Sequence, residues 1–383
     1  MRCDWEEKAL GEITSLITKG ITPKYTEVEN SETIRVLNQK CNRNFSIAYT
    51  DSRLHDNLIK RVPSEKILRV GDVLINSTGT GTAGRVAQIW DIIIPTTIDG
   101  HMLLLRCTND LIPLYYGYAI KAQQKKIESF AEGSTGQTEI NRQRLKDEIT
   151  IKYPLDLAEQ YTIARSLKVL DDKIELNRRI NANLEQQAQA VYDYMLCHNQ
   201  CTEGVLSDIA DITMGQSPKG STYNENGTGT VFFQGRGEFG FRFPKRRLYT
   251  TEPKRMAQAD DVLVSVRAPV GDVNVAREDC CIGRGLCAVH SKYGYKSFIL
   301  YTMFALRQQL DIFNGQGTVF GAINRDALES LPVTIPLKEV IEHFEKIISP
   351  MDKMIRNNYE QTCCLESVRD SLLPKLISGE IEL

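Results

Sequence analysis

The 383-residue sequence has no apolar run near the ~18–20 residues that a bilayer-crossing helix needs. The nearest, Leu111 to Ile120, is too short, so no membrane span is expected. The opening Met1-Arg2-Cys3-Asp4-Trp5 lacks the apolar core of a secretory signal, so none is expected either. An excess of one charge is also missing. Lys and Arg number 47 against 49 Asp and Glu, a net charge of −2, which excludes a histone-like polycation but leaves room for a local patch. None of the ten cysteines is spaced C-x-x-C, and a chain of this size needs no disulfide staples, so they read as reduced thiols of a cytoplasmic protein. Cys197-His198-x-x-Cys201 has no second ligand pair and reads as the loop after a helix, not as a zinc site. Five scattered histidines (His55, His101, His198, His290 and His343) form no legible Ser/His/Asp or Cys/His arrangement. Gly79-Thr80-Gly81-Thr82-Ala83-Gly84 lacks both the Lys-Ser/Thr of a phosphate loop and a downstream ribose-binding acid, so it reads as a turn between strands.

What is present is a duplication. Leu10-Gly11-Glu12-Ile13 with Gly20-x-x-Pro23-Lys24 resembles Leu206-Ser207-Asp208-Ile209 with Gly215-x-x-Pro218-Lys219. Asp72-Val73-Leu74-Ile75 matches Asp261-Val262-Leu263-Val264, and Ile140-Asn141-Arg142-x-x-Leu145 matches Ile323-Asn324-Arg325-x-x-Leu328. Asp172-Lys173-Ile174-x-x-Asn177 then matches Asp352-Lys353-Met354-x-x-Asn357. The matches are collinear, and the offset shrinks along the chain, as when loops diverge while a framework is kept.

Each half opens with strand signals, short apolar runs bounded by Gly, Pro and Asp. Tyr115 to Ser129 and Lys296 to Leu310 have helical composition. Each half ends in a long helix with an apolar seam at steps of three and four. The first seam is Ile163, Leu167, Leu170, Ile174 and Leu184; the second is Phe344, Ile348, Met351, Ile355 and Leu365. Polar positions Asn177 and Asn181 interrupt the first seam, and Asn358 and Thr362 the second; a buried Asn in such a seam fixes register at a cost in stability. Pro350 is where the second helix is expected to start or kink. The expected fold is α+β: residues 1–155 and 199–336 as globular domains, 156–198 and 337–383 as spacer helices packing together as an antiparallel coiled coil. About 33 helical residues span about 50 Å. That length holds two readers roughly 15 base pairs apart on a duplex.

Between Asp211 and Arg255, eight basic residues stand against four acidic ones, a local +4 suited to phosphate contact. Gln234-Gly235-Arg236-Gly237 offers donors for adenine and guanine edges, with glycines that permit close approach, and five phenylalanines from Phe232 to Phe243 interleave. The candidate DNA-binding residues of the second domain are Lys219, Gln234, Arg236, Arg246, Arg247 and Arg267. Those of the first are Lys24, Tyr25, Ser77, Thr78, Thr80 and Arg85, at comparable loop positions.

Taken together, the duplicated openings, Gly71-Asp72-Val73-Leu74-Ile75, Gly136-Gln137-Thr138-x-Ile140-Asn141-Arg142, Gly317-Thr318-Val319-Phe320-x-x-Ile323-Asn324-Arg325 and the closing Leu372-Leu373-Pro374-Lys375-Leu376-Ile377 resemble the specificity subunits of type I restriction–modification systems. The resemblance spans essentially the whole chain. It implies two target recognition domains, each reading half of a split double-stranded DNA site, with helices that space them and dock two modification (methyltransferase) subunits, and with restriction motor subunits as further partners. It implies no catalyst and no cofactor in this chain, S-adenosylmethionine belonging to the methyltransferase. The chain lacks the Asp/Asn-Pro-Pro-aromatic signature of adenine methylation. Its first half departs from the pattern by ending Val191-Tyr192-Asp193-Tyr194-Met195 without the Leu-Leu-Pro-Lys closure. The competing expectation is a coiled-coil scaffold, not bound to DNA, whose two globules bind protein or glycan.

Overall fold

The computed structural model describes residues 4–132, 139–314 and 321–382. Cys3, the Gly136-Gln137-Thr138 segment and the Gly317-Thr318-Val319-Phe320 segment lie outside the described residues. The chain divides into two compact units: one runs to Leu176 and resumes at Gln361, and the other is Asn177–Glu360. Both mix helix and sheet.

In the first unit, the strand Val73–Asn76 is buried along its whole length, which explains why it reads as an unbroken apolar run. It lies in a four-stranded antiparallel sheet ordered Thr14–Lys19, Met102–Cys107, Val73–Asn76, Val86–Gln88. In a second sheet Thr96–Ile98 runs parallel to Thr33–Leu37, followed by Arg53–Asp56 and Tyr25–Thr26. Trp5–Ala9 pairs with Thr150–Pro154. The helix Pro113–Ala122 buries Tyr115, Tyr116 and Tyr118 among Val73, Ile75, Leu103 and Leu105.

The second unit repeats this plan. Its antiparallel sheet is ordered Ala210–Met214, Leu286–Ser291, Val262–Ser265, Val273–Val275. Thr230–Phe233 runs parallel to Cys280–Ile282 in a second sheet, and Cys201–Val205 pairs with Pro332–Pro336. The helix Lys296–Ala305 contributes Phe298, Tyr301 and Met303 to the core. The two stretches of helical composition each break once, at Gln123 and at Leu306.

The duplicated motifs prove to be framework devices. Asn141 caps the helix Arg142–Glu148 by accepting from the N–H groups of Gln143 and Arg144, and Asn324 caps Arg325–Glu329 by accepting from Ala327. Leu145 and Leu328 are the fully buried residues of those helices. The repeated Asp accepts the N–H three residues earlier, Arg69 to Asp72 and Gln258 to Asp261, each at 2.7 Å. Its other partner differs: Arg106 Nε at 2.8 Å from Asp72, and His290 Nδ1 at 2.6 Å from Asp261.

The long helices are Leu157–His198 and Lys338–Ile377. Pro350 does not start the second one, which is already helical from Lys338. Pro350 is exposed and, lacking an N–H, leaves the carbonyl one turn earlier without its helical amide partner. Of the seam residues, Ile163, Leu167, Ile174, Phe344, Ile348 and Ile355 are buried, and Leu170, Leu184, Met351 and Leu365 half-buried. Ile163 and Leu167 join Leu373, Leu376 and Ile377 in the core of the first unit. Tyr192 and Met195 join Phe344 and Ile348 in that of the second.

Candidate nucleic-acid interface

Backbone hydrogen bonds gather four loops at one end of the second unit. Gly215 N–H donates to Leu286 O at 2.9 Å and Gln216 N–H to Ile282 O at 2.9 Å. Gly283 N–H donates to Phe233 O at 2.8 Å, Gly285 N–H to Gln234 O at 3.2 Å, and Val266 N–H to Gly285 O at 2.9 Å. The first unit repeats four of these five bonds: Gly20 to Met102 at 3.2 Å, Ile21 to Ile98 at 2.9 Å, Asp99 to Leu37 at 2.9 Å and Ser77 to His101 at 2.9 Å; the fifth differs, since His101 N–H, the counterpart of Gly285 N–H, donates to Asp99 Oδ1. Even the bond from Ile140 to Ser77, 2.8 Å, recurs as Ile323 to Val266, 3.1 Å. Close approach explains the repeated glycine. A Cβ on Gly20 would lie 2.1 Å from Asp99 O, and one on Gly215 would lie 2.1 Å from Gly283 O.

This loop end brings together Lys219, Gln234, Arg236 and Arg267, all exposed. Arg236 is held by Asp272, Nε to Oδ2 2.7 Å. Arg247 lies near them, 3.4 Å from Glu238, whose Oε2 accepts from Gly235 N–H. Arg246 is not brought in: it pairs with Glu278, before the strand Cys280–Ile282, whereas the loop end follows that strand. In the first unit, Lys24 and Tyr25 are exposed, with the Arg53 guanidinium 3.5 Å from the Tyr25 ring centroid. Thr80 is exposed; Thr78 is half-buried, its hydroxyl 3.0 Å from His101 Nδ1 and reached by Gln39 Nε2. Arg85 is half-buried and donates to Gly81 O. Ser77 corrects the expectation. It is fully buried, so its hydroxyl reaches no duplex, and its part is played by its backbone.

The basic stretch is also less basic than its composition. Arg242 is buried at φ 60°, with Nη1 2.8 Å from Asp352 Oδ1, Nη2 2.7 Å from Tyr301 Oη and Nε 3.5 Å from Glu185. Together with Arg236, Arg246 and Arg247, it makes four of the eight cations matched by acids. Phe232, Phe233 and Phe243 are core residues, and Phe241 is the exposed one.

Sequence reasoning missed Arg284, which is exposed at this loop end with its backbone N–H on Ser217 Oγ, 3.2 Å. Its signal was present: Gly283-Arg284-Gly285 repeats the Gly-Arg-Gly of 235–237. It also missed Asn38, Gln39 and Lys40, which follow Leu37 as Gln234, Gly235 and Arg236 follow Phe233. These loops share no residues, so only the hydrogen bonds reveal the equivalence. Burial pushes the Cys107 thiol up to about 11 and that of Cys287 to about 12, poor settings for thiolate chemistry. Among the described residues, no group of three or more His, Cys, Asp and Glu is placed to hold a metal.

Comparison with known proteins agrees with the doubled architecture. The chain is 29% identical over 99% of its length to a Methanocaldococcus jannaschii protein provisionally named the type I restriction enzyme MjaX specificity subunit, covering 94% of it. It is 23% identical to the MjaIX specificity subunit of the same organism, over 70% of this chain and 69% of that one. The crystal structure of the type I restriction–modification S subunit from M. genitalium superposes with a TM-score of 0.63 at 15% identity, covering 98% of this chain and 96% of the other, a likeness of fold. The model of the type I restriction modification DNA specificity domain matches twice, at residues 3–186 and 201–362, and the chain therefore belongs to that family as a tandem of two such domains.

Proposed function

We propose that the chain is the non-catalytic recognition subunit of a type I restriction–modification complex, each unit reading one half of a bipartite duplex site through the loop end described above. The carrying observation is the repetition of that loop end in both units, four of its five backbone bonds recurring, with different side chains on the same frame. A repeated frame with unlike contacts is what two unlike half-sites require. A protein- or glycan-binding scaffold would share the helices but has no need of the exposed cations.

We further propose that the long helices pair as an antiparallel coiled coil and fix the spacing between half-sites. Support comes from within the second unit, where contacts run in opposite chain directions: Tyr192 with Phe344, Asn181 Nδ2 with Ile355 O at 3.0 Å, and Asn177 Nδ2 with Asn358 O at 3.4 Å. Asn358 Nδ2 donates in turn to Asn181 Oδ1 at 2.9 Å, so both amide atoms of buried Asn181 are bonded in this register, which favours it. Two modification subunits, holding S-adenosylmethionine, would dock on this helical part, restriction motor subunits would join for cleavage, and the assembly would work in the cytoplasm. Among the described residues, no helix is long and apolar enough to cross a membrane.

The test is a genome-wide map of methylated adenines in cells expressing this chain with its methyltransferase. Two short blocks separated by a constant gap are expected. A single uninterrupted palindrome would sink the assignment.

A further inference from the structure

At the loop end of the second unit the strand pairing and the turn beside it bring two arginines to either side of one hydrogen bond. The antiparallel register pairs Val264 with Cys287 and Ser265 with Leu286, and the bond from Val266 N–H to Gly285 O continues it by one residue. Arg267 follows Val266, and Arg284 precedes Gly285 in the turn that Leu286 N–H closes on Gly283 O at 3.0 Å, so the two arginines flank that last bond. Both are exposed. Among the described residues, neither guanidinium has an ion-pair or hydrogen-bond partner. Like charges brought near one another repel. The cations around them are treated differently: Arg236 and Arg307 share Asp272. The bare pair is therefore not a feature of the local charge arrangement in general.

The backbone beneath the pair is fixed. Glycines flank Arg284 because nothing larger fits: a Cβ on Gly283 would lie 2.8 Å from Gln234 O, and one on Gly285 2.9 Å from the same atom. Arg284 N–H is held by Ser217 Oγ, and Ala268 N–H by Gly321 O at 2.9 Å. Two guanidinium groups on an anchored frame, at neighbouring positions with no counter-charge, form a seat for one anion with several acceptor oxygens, and little ordering entropy is left to lose on binding.

The first unit lacks this seat. Its register pairs Asn76 with Met102, and Ser77 N–H to His101 O continues it, so the equivalent positions are Thr78 and Gly100. Neither carries charge.

We propose that Arg267 and Arg284 clamp a backbone phosphate of the duplex, making the second unit the electrostatic anchor while the first reads without such a clamp. This rests on the DNA-recognition reading above and names the group it grips. A phosphate is preferred to a base edge because both side chains leave a backbone that is held, whereas base reading is served by the adjoining Gln234 and Arg236, on a turn where a Cβ at Gly235 or Gly237 would meet nothing.

The test uses the full-length chain and two mixed-sequence duplexes about 30 base pairs long, enough for two half-sites one to two turns apart. Affinity is measured by fluorescence anisotropy across a salt series. Arg267→Gln and Arg284→Gln should each weaken binding to both duplexes alike, by about tenfold at low salt, and the double variant should flatten the slope of log affinity against log salt by roughly one to two. Gly100→Arg tests the converse. A Cβ there meets only the Ile21 carbonyl oxygen, at 3.6 Å, so the variant should fold, tighten binding and steepen the slope. An unchanged slope in the double variant, or a loss confined to one duplex, would overturn the clamp while leaving DNA recognition standing. A wild-type chain that shows no salt-dependent affinity even with its methyltransferase subunits present would overturn the recognition reading beneath it.

Discussion

The two units solve one packing problem with different charges. In the first, Tyr118 donates to Asp171 of the first long helix at 2.6 Å, and Arg369 of the second long helix pairs with the same Asp at 2.7 Å. In the second, Tyr301 donates to Asp352 at 3.1 Å, and Arg242, from the recognition domain itself, pairs with it at 2.8 Å. The Tyr–Asp contact is common to both, while the arginine has two origins. The same holds for Asp72 with Arg106 against Asp261 with His290, and for buried Gln160 against buried Ile341. Gln160 earns its burial by donating to Pro154 O and accepting from Ile112 N–H, whereas Ile341 packs into the apolar core. Positions that set backbone geometry are kept, and positions that only neutralise a neighbour are free to change partner.

The largest effect expected from this comparison follows removal of each arginine. Arg242→Ala leaves Asp352 and Glu185 facing a buried void, since the Arg242 side chain is 2% exposed. Breaking a buried charge cluster from one side costs about 3–5 kcal/mol. Arg369→Ala, with that side chain 15% exposed, should cost less, about 1–3 kcal/mol. Hydrogen exchange followed on peptides from each unit separates the two. Equal losses would mean that the arginines are equivalent despite their different surroundings.

Next in size are the repeated glycines. Gly20→Ala and Gly215→Ala each force a Cβ onto a carbonyl oxygen and should cost about 1–3 kcal/mol, each in its own unit. Gly220→Ala, with nothing near the new atom, should be neutral. Thermal unfolding of the three variants checks this, and a costly Gly220→Ala would break the argument from close approach.

These glycines also mark how far the sequence could be read. The framework was legible because its residues answer to backbone demands that recur: Gly20 and Gly215 to close approach, Asn141 and Asn324 to helix capping, Asp72 and Asp261 to a tight turn. The motif spacing misled by one residue in the helices. It aligns Asp172 with Asp352, but the residues bonded to tyrosine are Asp171 and Asp352, and burial follows that alignment, Ile174 with Ile355 and Leu167 with Ile348. The seam, which carries the packing energy, gave the right offset where the motif did not. Site residues were harder to read. Arg242 looked like part of a cationic stripe because its acids lie far along the chain, at Glu185 and Asp352. Ser77 looked like a loop hydroxyl because nothing local shows that His101 and Ile140 close over it.

A third contrast is in pH response. Burial raises the carboxyl groups of Asp261, Glu185 and Glu345 in the second unit, against bonds or charges from His290, Arg242 and Phe298 N–H that oppose it. In the first, burial raises Asp99, while hydrogen bonds from Lys8 and Arg144 lower Glu6 and Glu148. A raised carboxyl holds its proton more tightly when folded, so its contribution is full below the ordinary value and is lost as pH rises through the raised one. A lowered carboxyl contributes above its ordinary value and loses that as pH falls. As pH climbs past 3.8 and 4.5, the ordinary Asp and Glu values, the second unit should lose stability relative to the first. Glu345→Gln, which can still accept from Phe298 N–H, should remove that group's share. Parallel pH profiles for the two units, followed by hydrogen exchange, would contradict this.

The smallest effect is the most telling about charge counting. Arg246 is 44% exposed and its partner Glu278 42%, so the pair is solvated and Arg246→Gln should change stability by less than about 0.5 kcal/mol. Its effect on duplex affinity should also be slight, because Glu278 already offsets its charge and the pair lies on the far side of the strand Cys280–Ile282 from the loop end. Arg284→Gln removes the same formal charge from the chain and should matter far more. Anisotropy titrations of the two variants under one salt condition therefore separate net charge from charge that has no counter-ion of its own. If Arg246→Gln weakened binding as much as Arg284→Gln, the contrast between matched and bare arginines would fail, and the local +4 between Asp211 and Arg255 would have been the better guide after all.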